Sequence, residues 1–241
     1  GLERAALARG YRLVVGRLAA GESLADYLAR GLDGLFWLHP PHLDRTRLSE
    51  DDQALAPVVA VDAPLGSAGG CVRMDYAAGV QAATEHLRSR GCRRLGLVGD
   101  DRAELRLLQQ PFFHAGGKAS DVWTLEAESG AAESVAPLLE AWIRKTRVDG
   151  LLAGHDRVAA LLLKGLRALK QRVPQQVAVV GWGNEEGSAW LDPALTTVDL
   201  QADDWARAAM ELMARLLDQR GLPVRERTVV IEPRLVIRES A

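Results

Sequence analysis

The sequence predicts an α/β fold of two lobes, each a parallel sheet flanked by helices. Three observations carry this. Short apolar runs bounded by Gly, Pro or Asp alternate with amphipathic stretches along all 241 residues, and such alternation implies right-handed crossovers onto a parallel sheet. The second half runs through the same scheme as the first, without the tandem period of a solenoid. The hydrophobic share, 48%, is enough at this length for one large core or two small ones.

In order, Leu2 to Arg9 reads as a helix, Tyr11 to Val15 as a strand, Ser23 to Arg30 as a short helix and Gly34 to Leu38 as a strand stopped by Pro40 and Pro41. Pro57 to Val61 and Cys71 to Met74 are short strands. Gly79 to Arg90 follows as a helix with Val80, Ala83, His86 and Leu87 at helical spacing, and Leu95 to Val98 is an apolar strand ending at Gly99. The second half gives strand Val122 to Leu125, helix Ala131 to Arg144, strand Gly150 to Ala153, the Leu- and Ala-rich helix Asp156 to Gln171, and strand Val177 to Val180. Ala202 to Arg220 is a long helix with Trp205, Ala209, Leu212, Met213 and Leu216 on one stripe. A strand pair around Val229 to Ile231 and Arg234 to Ile237 closes the chain.

Composition narrows the function. Thirty basic residues stand against thirty-two acidic ones, net −2 with no run of either sign, so the chain lacks the cationic footprint that phosphate-backbone binding needs. Cys71 and Cys92 belong to no CxxC or Cys/His cluster and read as two reduced thiols. No apolar run approaches a membrane span of about 20 residues. The N-terminus has no signal-peptide form and opens within a helical pattern.

Enzyme motifs fail on inspection. Gly116-Gly117-Lys118 hints at a phosphate loop, but Phe112 occupies the place of the first glycine and Ala119 that of the metal-binding Ser or Thr. His39, His42, His86, His114 and His155 form no HxxxH or HExxH spacing, and there is no Gly-x-Ser-x-Gly elbow. The expectation is therefore no enzyme, no metal and no cofactor.

The densest signal is Arg172 to Thr197, RVPQQVAVVGWGNEEGSAWLDPALTT: a Val-Pro break, a buried strand stopping near Gly181, and a polar loop before Pro-x-Leu-Thr-Thr. A loop at a strand's carboxyl end is where open α/β sheets hold ligands. This segment closely resembles the late signature of the LacI/GalR family of bacterial transcription regulators. Three further blocks resemble that family in the right order: DYAAGVQAATEHLRSRGCRRLGLVGD from Asp75, VDGLLAGHDRVAALLLKG from Val148, and EPRLVIRES from Glu232. Tyr76 and Cys92 stand where Asn and His are usual, and His155 stands where Asn is usual.

The resemblance implies the periplasmic-binding-protein-like fold with three crossover hinge strands. One lobe is expected to hold residues 1–99 plus 202–226, the other 100–201 plus 227–241. It implies an effector-sensing, dimerising domain of a cytoplasmic transcription regulator, a repressor by type, that closes its lobes around a small molecule. Operator DNA would be held by an N-terminal helix-turn-helix headpiece outside this sequence. The alternative is an extracytoplasmic solute-binding protein of a sugar transporter, which shares the fold.

The expected effector residues are Arg106, His155, Asp156, Trp182, Asn184 and Ser188. Arg106, in a loop after Leu95 to Val98, is either a ligand anchor or a solvated charge. His155 either hydrogen-bonds the effector or caps the helix at Asp156, and Asp156 reads first as a cap at that helix start. Trp182 stacks on a ligand or packs between lobes. Asn184 and Ser188 line the loop. Ala78 and Gly183 stand where acidic residues hold sugar hydroxyls in the family. That subtraction points to an acceptor-rich ligand such as a sugar phosphate, held by the donors of Arg106. For the dimer, Val158, Leu162 and Leu166 are expected at the interface, because their helix carries more apolar surface than one sheet face covers.

Overall fold

The computed structural model describes residues 1–16, 31–38, 56–62, 69–100, 102–125, 132–218 and 222–241. The chain divides into two compact units, Gly1–Met74 with Gln201–Ile231, and Asp75–Leu200 with Glu232–Ala241. It passes between them three times, after Met74, Leu200 and Ile231. The segment 75–99, expected in the first lobe, belongs to the second unit, because its strand is hydrogen-bonded into the middle of that unit's sheet. Residues 227–231, expected in the second lobe, belong to the first unit, where residues 228–231 pair with residues 71–74 at the edge of its sheet.

In the first unit, β1 (Leu35–Trp37), β2 (Val58–Val61), β3 (Gly70–Met74) and β9 (Thr228–Ile231) form a parallel sheet in the order β1-β2-β3-β9. Val59 and Val72 on one face meet the stripe Ala209, Met210, Leu212, Met213 and Leu216 of α6 (Ala202–Asp218), together with Ala6 of α1 (Leu2–Leu7). Trp37, Val58 and Ala60 form a smaller cluster. The expected strand Tyr11 to Val15 joins no ladder among the described residues; the chain there has Val14 and Val15 exposed at 70% and 87%. The expected helix Ser23 to Arg30 lies outside the described residues.

The second unit contains α2 (Tyr76–Ser89), β4 (Leu95–Gly99), α3 (Arg102–His114), β5 (Val122–Thr124), α4 (Ala132–Thr146), β6 (Gly150–Ala153), α5 (Asp156–Ala168), β7 (Ala178–Gly183), β8 (Thr196–Asp199) and β10 (Arg234–Val236). Its sheet order is β10-β8-β7-β6-β4-β5, parallel except for β10. Fully buried runs such as Leu95–Gly99 and Gly150–Ala153 are what a sheet covered on both faces demands. One core gathers Val98, Leu139, Leu151, Val158, Leu162 and Leu166; the other holds Leu87, Leu97, Phe112, Leu152, Val180 and Trp182.

Four local readings are corrected. β9 and β10 are not a pair: β9 joins β3 in the first unit and β10 joins β8 in the second. Helix α3 stands where a loop was expected, and β8 was not anticipated as a strand. Val158, Leu162 and Leu166 are wholly buried within this chain. Helix α4 covers them alongside the sheet: Val135 and Leu139 of α4 share their core, so these three side chains are core and not interface. Cys92 is a half-buried thiol pushed up to about 11 by burial and then by the Asp149 charge, so it stays protonated at neutral pH.

Candidate functional site

The second unit's sheet has one reversal of direction. After β4 the chain runs through α3 to β5 on one side; after β6 it runs through α5 to β7 on the other. The crevice at the carboxyl ends of β4 and β6 is therefore the switch point at which open α/β sheets bind ligands. The two strands stay paired up to that end, with Gly154 N–H donating to Val98 O at 2.7 Å. The first polar side chains beyond them are Asp100 and His155. His155 Nε2 lies 2.8 Å from Asp100 Oδ1, and Arg157, on the first turn of α5, donates to Asp100 Oδ2 at 2.5 Å.

Burial pushes the Asp100 carboxyl up, but the hydrogen bond and charge of His155 and the charge of Arg157 outweigh it, leaving it below its ordinary 3.8. The unfolded chain binds that proton more readily than the folded one, so the cluster stabilises the fold at neutral pH and stops doing so as pH falls through the folded value. The stability gap between the wild type and Asp100→Asn, measured by urea denaturation, is accordingly expected to be open at pH 7 and to narrow below pH about 4. A gap that widens in acid would contradict this.

The loop after β7 is tied down by a second carboxylate. Asp156 is 3% exposed. Its Oδ1 accepts from Thr197 Oγ1 at 2.5 Å, and its Oδ2 from Glu185 N at 2.7 Å and from the Ser188 hydroxyl. Asp156 therefore clamps the loop instead of capping its own helix, and Ser188, 2% exposed, points inward to it. Gly181 permits this approach, since a Cβ there would overlap the carboxylate. Asn184, at φ +52°, donates from Nδ2 to Asp199 at 2.9 Å and accepts from Arg238 at 2.8 Å, while Arg238 also donates to Leu195 O. The structure thus gives Asp156, Ser188 and Asn184 partners within the protein.

Trp182 is 4% exposed and stacks on Tyr76, with ring centroids 6.1 Å apart and planes at 8°. Gly79 leaves room for it, because a Cβ there would lie 2.6 Å from the indole. The aromatic surface on this edge is thus half-buried Tyr76, while Trp182 lies beneath it. Arg106 sits exposed in the second turn of α3, with no hydrogen bond or ion pair among the described residues. Of the six expected effector residues, only His155 lies at the crevice in company with another polar side chain. Asp100, Tyr76 and Arg238 were not anticipated. The signal for Asp100 was available, since it is the first residue after a buried strand's glycine.

Residues 84–241 match the family described as the periplasmic binding protein-like domain. The chain belongs to that family. Among its curated relatives, the HTH-type transcriptional regulator CelR of Thermobifida fusca is 29% identical over 96% of this chain and 71% of its own length. The ribose operon repressor of Escherichia coli is 25% identical over 100% of this chain and 76% of its own. Among solved structures, the LacI family regulator of Arthrobacter sp. FB24 in complex with lactose superposes with a TM-score of 0.78 at 25% identity, covering 100% of this chain and 91% of that one. The CelR–cellobiose complex does so at 0.79 and 24% identity, over 100% and 76%. This periplasmic-binding-protein-like domain is accordingly of the LacI-type effector-sensing kind, and the match to regulators sets aside the transporter alternative. No helix among its described residues is long and apolar enough to cross a membrane.

Proposed function

We propose that this domain senses a sugar on behalf of a cytoplasmic LacI-type transcription regulator, and that the sugar is held at the switch point between β4 and β6. The observation that carries the reading is the Asp100–His155 pair at that reversal. Its weight comes from the similarity, along the whole chain, to a regulator whose structure holds lactose. A neutral sugar fits better than the anionic ligand expected from the sequence, because counting only the acceptors missing at Ala78 and Gly183 overlooks the carboxylate of Asp100. The test is a thermal-shift panel of lactose, cellobiose, ribose and their phosphates. A ligand at 100 times its dissociation constant stabilises by about 2.7 kcal/mol, which raises the midpoint of a domain this size by about 5–10 °C. A panel in which no sugar shifts the midpoint would contradict the reading. DNA binding is assigned to a headpiece outside this chain, whose net charge of −2 gives phosphates little to hold.

Dimerisation belongs to the same proposal, with a different surface from the buried face of α5. The outward face of α5 presents Leu161 beside Leu191 in an open groove of about 390 Å³, flanked by Arg157, Lys164 and Arg167. Trp190, next to Leu191, is 78% exposed, and a large aromatic left in water is typical of an interface anchor. Light scattering is expected to return about twice the 26.1 kDa of one chain, and a Leu161→Glu, Trp190→Ser variant to return the monomer mass. A monomeric wild type, or a double variant that stays dimeric, would count against this surface.

A further inference from the structure

We infer that Asp100 contacts the effector directly and sets its specificity, supplying from the end of β4 the hydroxyl-accepting carboxylate that the loop after β7 lacks at Gly183. This rests on the sugar-sensing reading and deepens it. Four observations converge. Asp100 is the first residue beyond the carboxyl end of β4, on one wall of the crevice where the sheet reverses. Its side chain keeps 14% exposure, whereas Asp156, on the same edge, is 3% exposed and taken up by Thr197, Glu185 and Ser188. His155 and Arg157 each take one of its oxygens and its own backbone N–H adds a third bond, yet an ionised carboxylate has about four acceptor positions, so it can still accept from a ligand hydroxyl. Those two partners come from the adjacent strand's end and the helix that follows it, and they fix the carboxylate in place before a ligand arrives, which lowers the ordering cost of binding.

The chemistry selects the ligand class. A carboxylate wants an O–H donor, and a ring hydroxyl presents one; a ligand phosphate offers only acceptors at neutral pH and meets like charge. Specificity of this kind is steep, because a ligand lacking the matched hydroxyl leaves a partly buried acceptor unpaired, at a cost of about 1–3 kcal/mol, or roughly five- to 150-fold in affinity.

The experiment is a cycle between protein and ligand. Calorimetry measures the tightest-binding sugar of the lactose, cellobiose and ribose panel, and its singly deoxygenated analogues, on the wild type, Asp100→Asn and Asp100→Glu. At least one deoxygenation is expected to weaken binding fivefold or more on the wild type and less than twofold on Asp100→Asn, with the parent sugar itself at least tenfold weaker on that variant. Asp100→Glu keeps the charge but moves the oxygens by one methylene, so it is expected to lose the same coupling; it serves as the readout where Asp100→Asn does not fold. Equal affinity in variant and wild type, or deoxygenation costs that are the same on both, would overturn the assignment of Asp100 alone. A wild type that binds no sugar of the panel would overturn the sugar-sensing reading, and this assignment with it.

Discussion

Asp156→Ala is expected to lower the stability of the domain by about 3–5 kcal/mol, the range for breaking a buried charged network by removing one partner. Three donors, from Thr197, Glu185 and Ser188, converge on that carboxylate, and hydrogen bonds to charged groups contribute about 1.5–3 kcal/mol each before the structure relaxes. At roughly 2–4 °C per kcal/mol for a domain of this size, the melting midpoint falls by about 6–20 °C. Gly181→Ala attacks the same clamp from the strand side, since the new methyl overlaps the Asp156 carboxylate and approaches Leu195 Cδ2 at 2.8 Å. Differential scanning calorimetry of both variants checks this. An Asp156→Ala midpoint within about 2 °C of the wild type would remove Asp156 from the centre of the loop's stability.

Trp182→Ala is expected to cost a similar amount, about 3–5 kcal/mol, as a large aromatic removed from a packed core. The indole packs in the second unit's core with Tyr76 stacked on it, and it fills the space that Gly79 leaves open. Trp182→Phe keeps an aromatic surface under Tyr76 and is expected to lose less than half as much. Urea denaturation distinguishes this from a ligand-contact role: a Trp182→Ala variant of near wild-type stability with lost sugar affinity would mean that the indole meets the ligand.

These two residues show where sequence reading stops. The strands that build the site were legible because burial on both faces leaves a mark in composition: Leu95–Gly99 and Gly150–Ala153 contain no polar residue. The strand order, and with it the switch point, was not legible, because no local feature says that β6 pairs with β4. Without that pairing Asp100 is one more acid after a strand. Helix α3 was missed because Pro111 and the pair Gln109 and Gln110 interrupt its apolar periodicity. The resemblance brought His155, Asp156, Asn184 and Ser188 to the right edge of the sheet. It did not show that the last three are engaged with Thr197, Glu185, Asp199 and Arg238, since hydrogen-bond partners 15 to 54 residues apart leave no spacing signature. The dimer residues were misplaced for a related reason, because apolar positions on α5 look alike whether the sheet, α4 or another molecule covers them.

The central claim is that effector binding takes place at the carboxyl ends of β4 and β6. Hydrogen–deuterium exchange with and without saturating amounts of the tightest-binding panel sugar tests it most directly, because backbone amides close to a bound ligand lose access to solvent and to opening motions. Protection is expected in the peptides that carry Gly99 and Asp100, and Gly154 to Arg157, at the first labelling times. Protection confined to the amino ends of these strands, around Arg94 and Asp149, with those two peptides unchanged, would contradict the account.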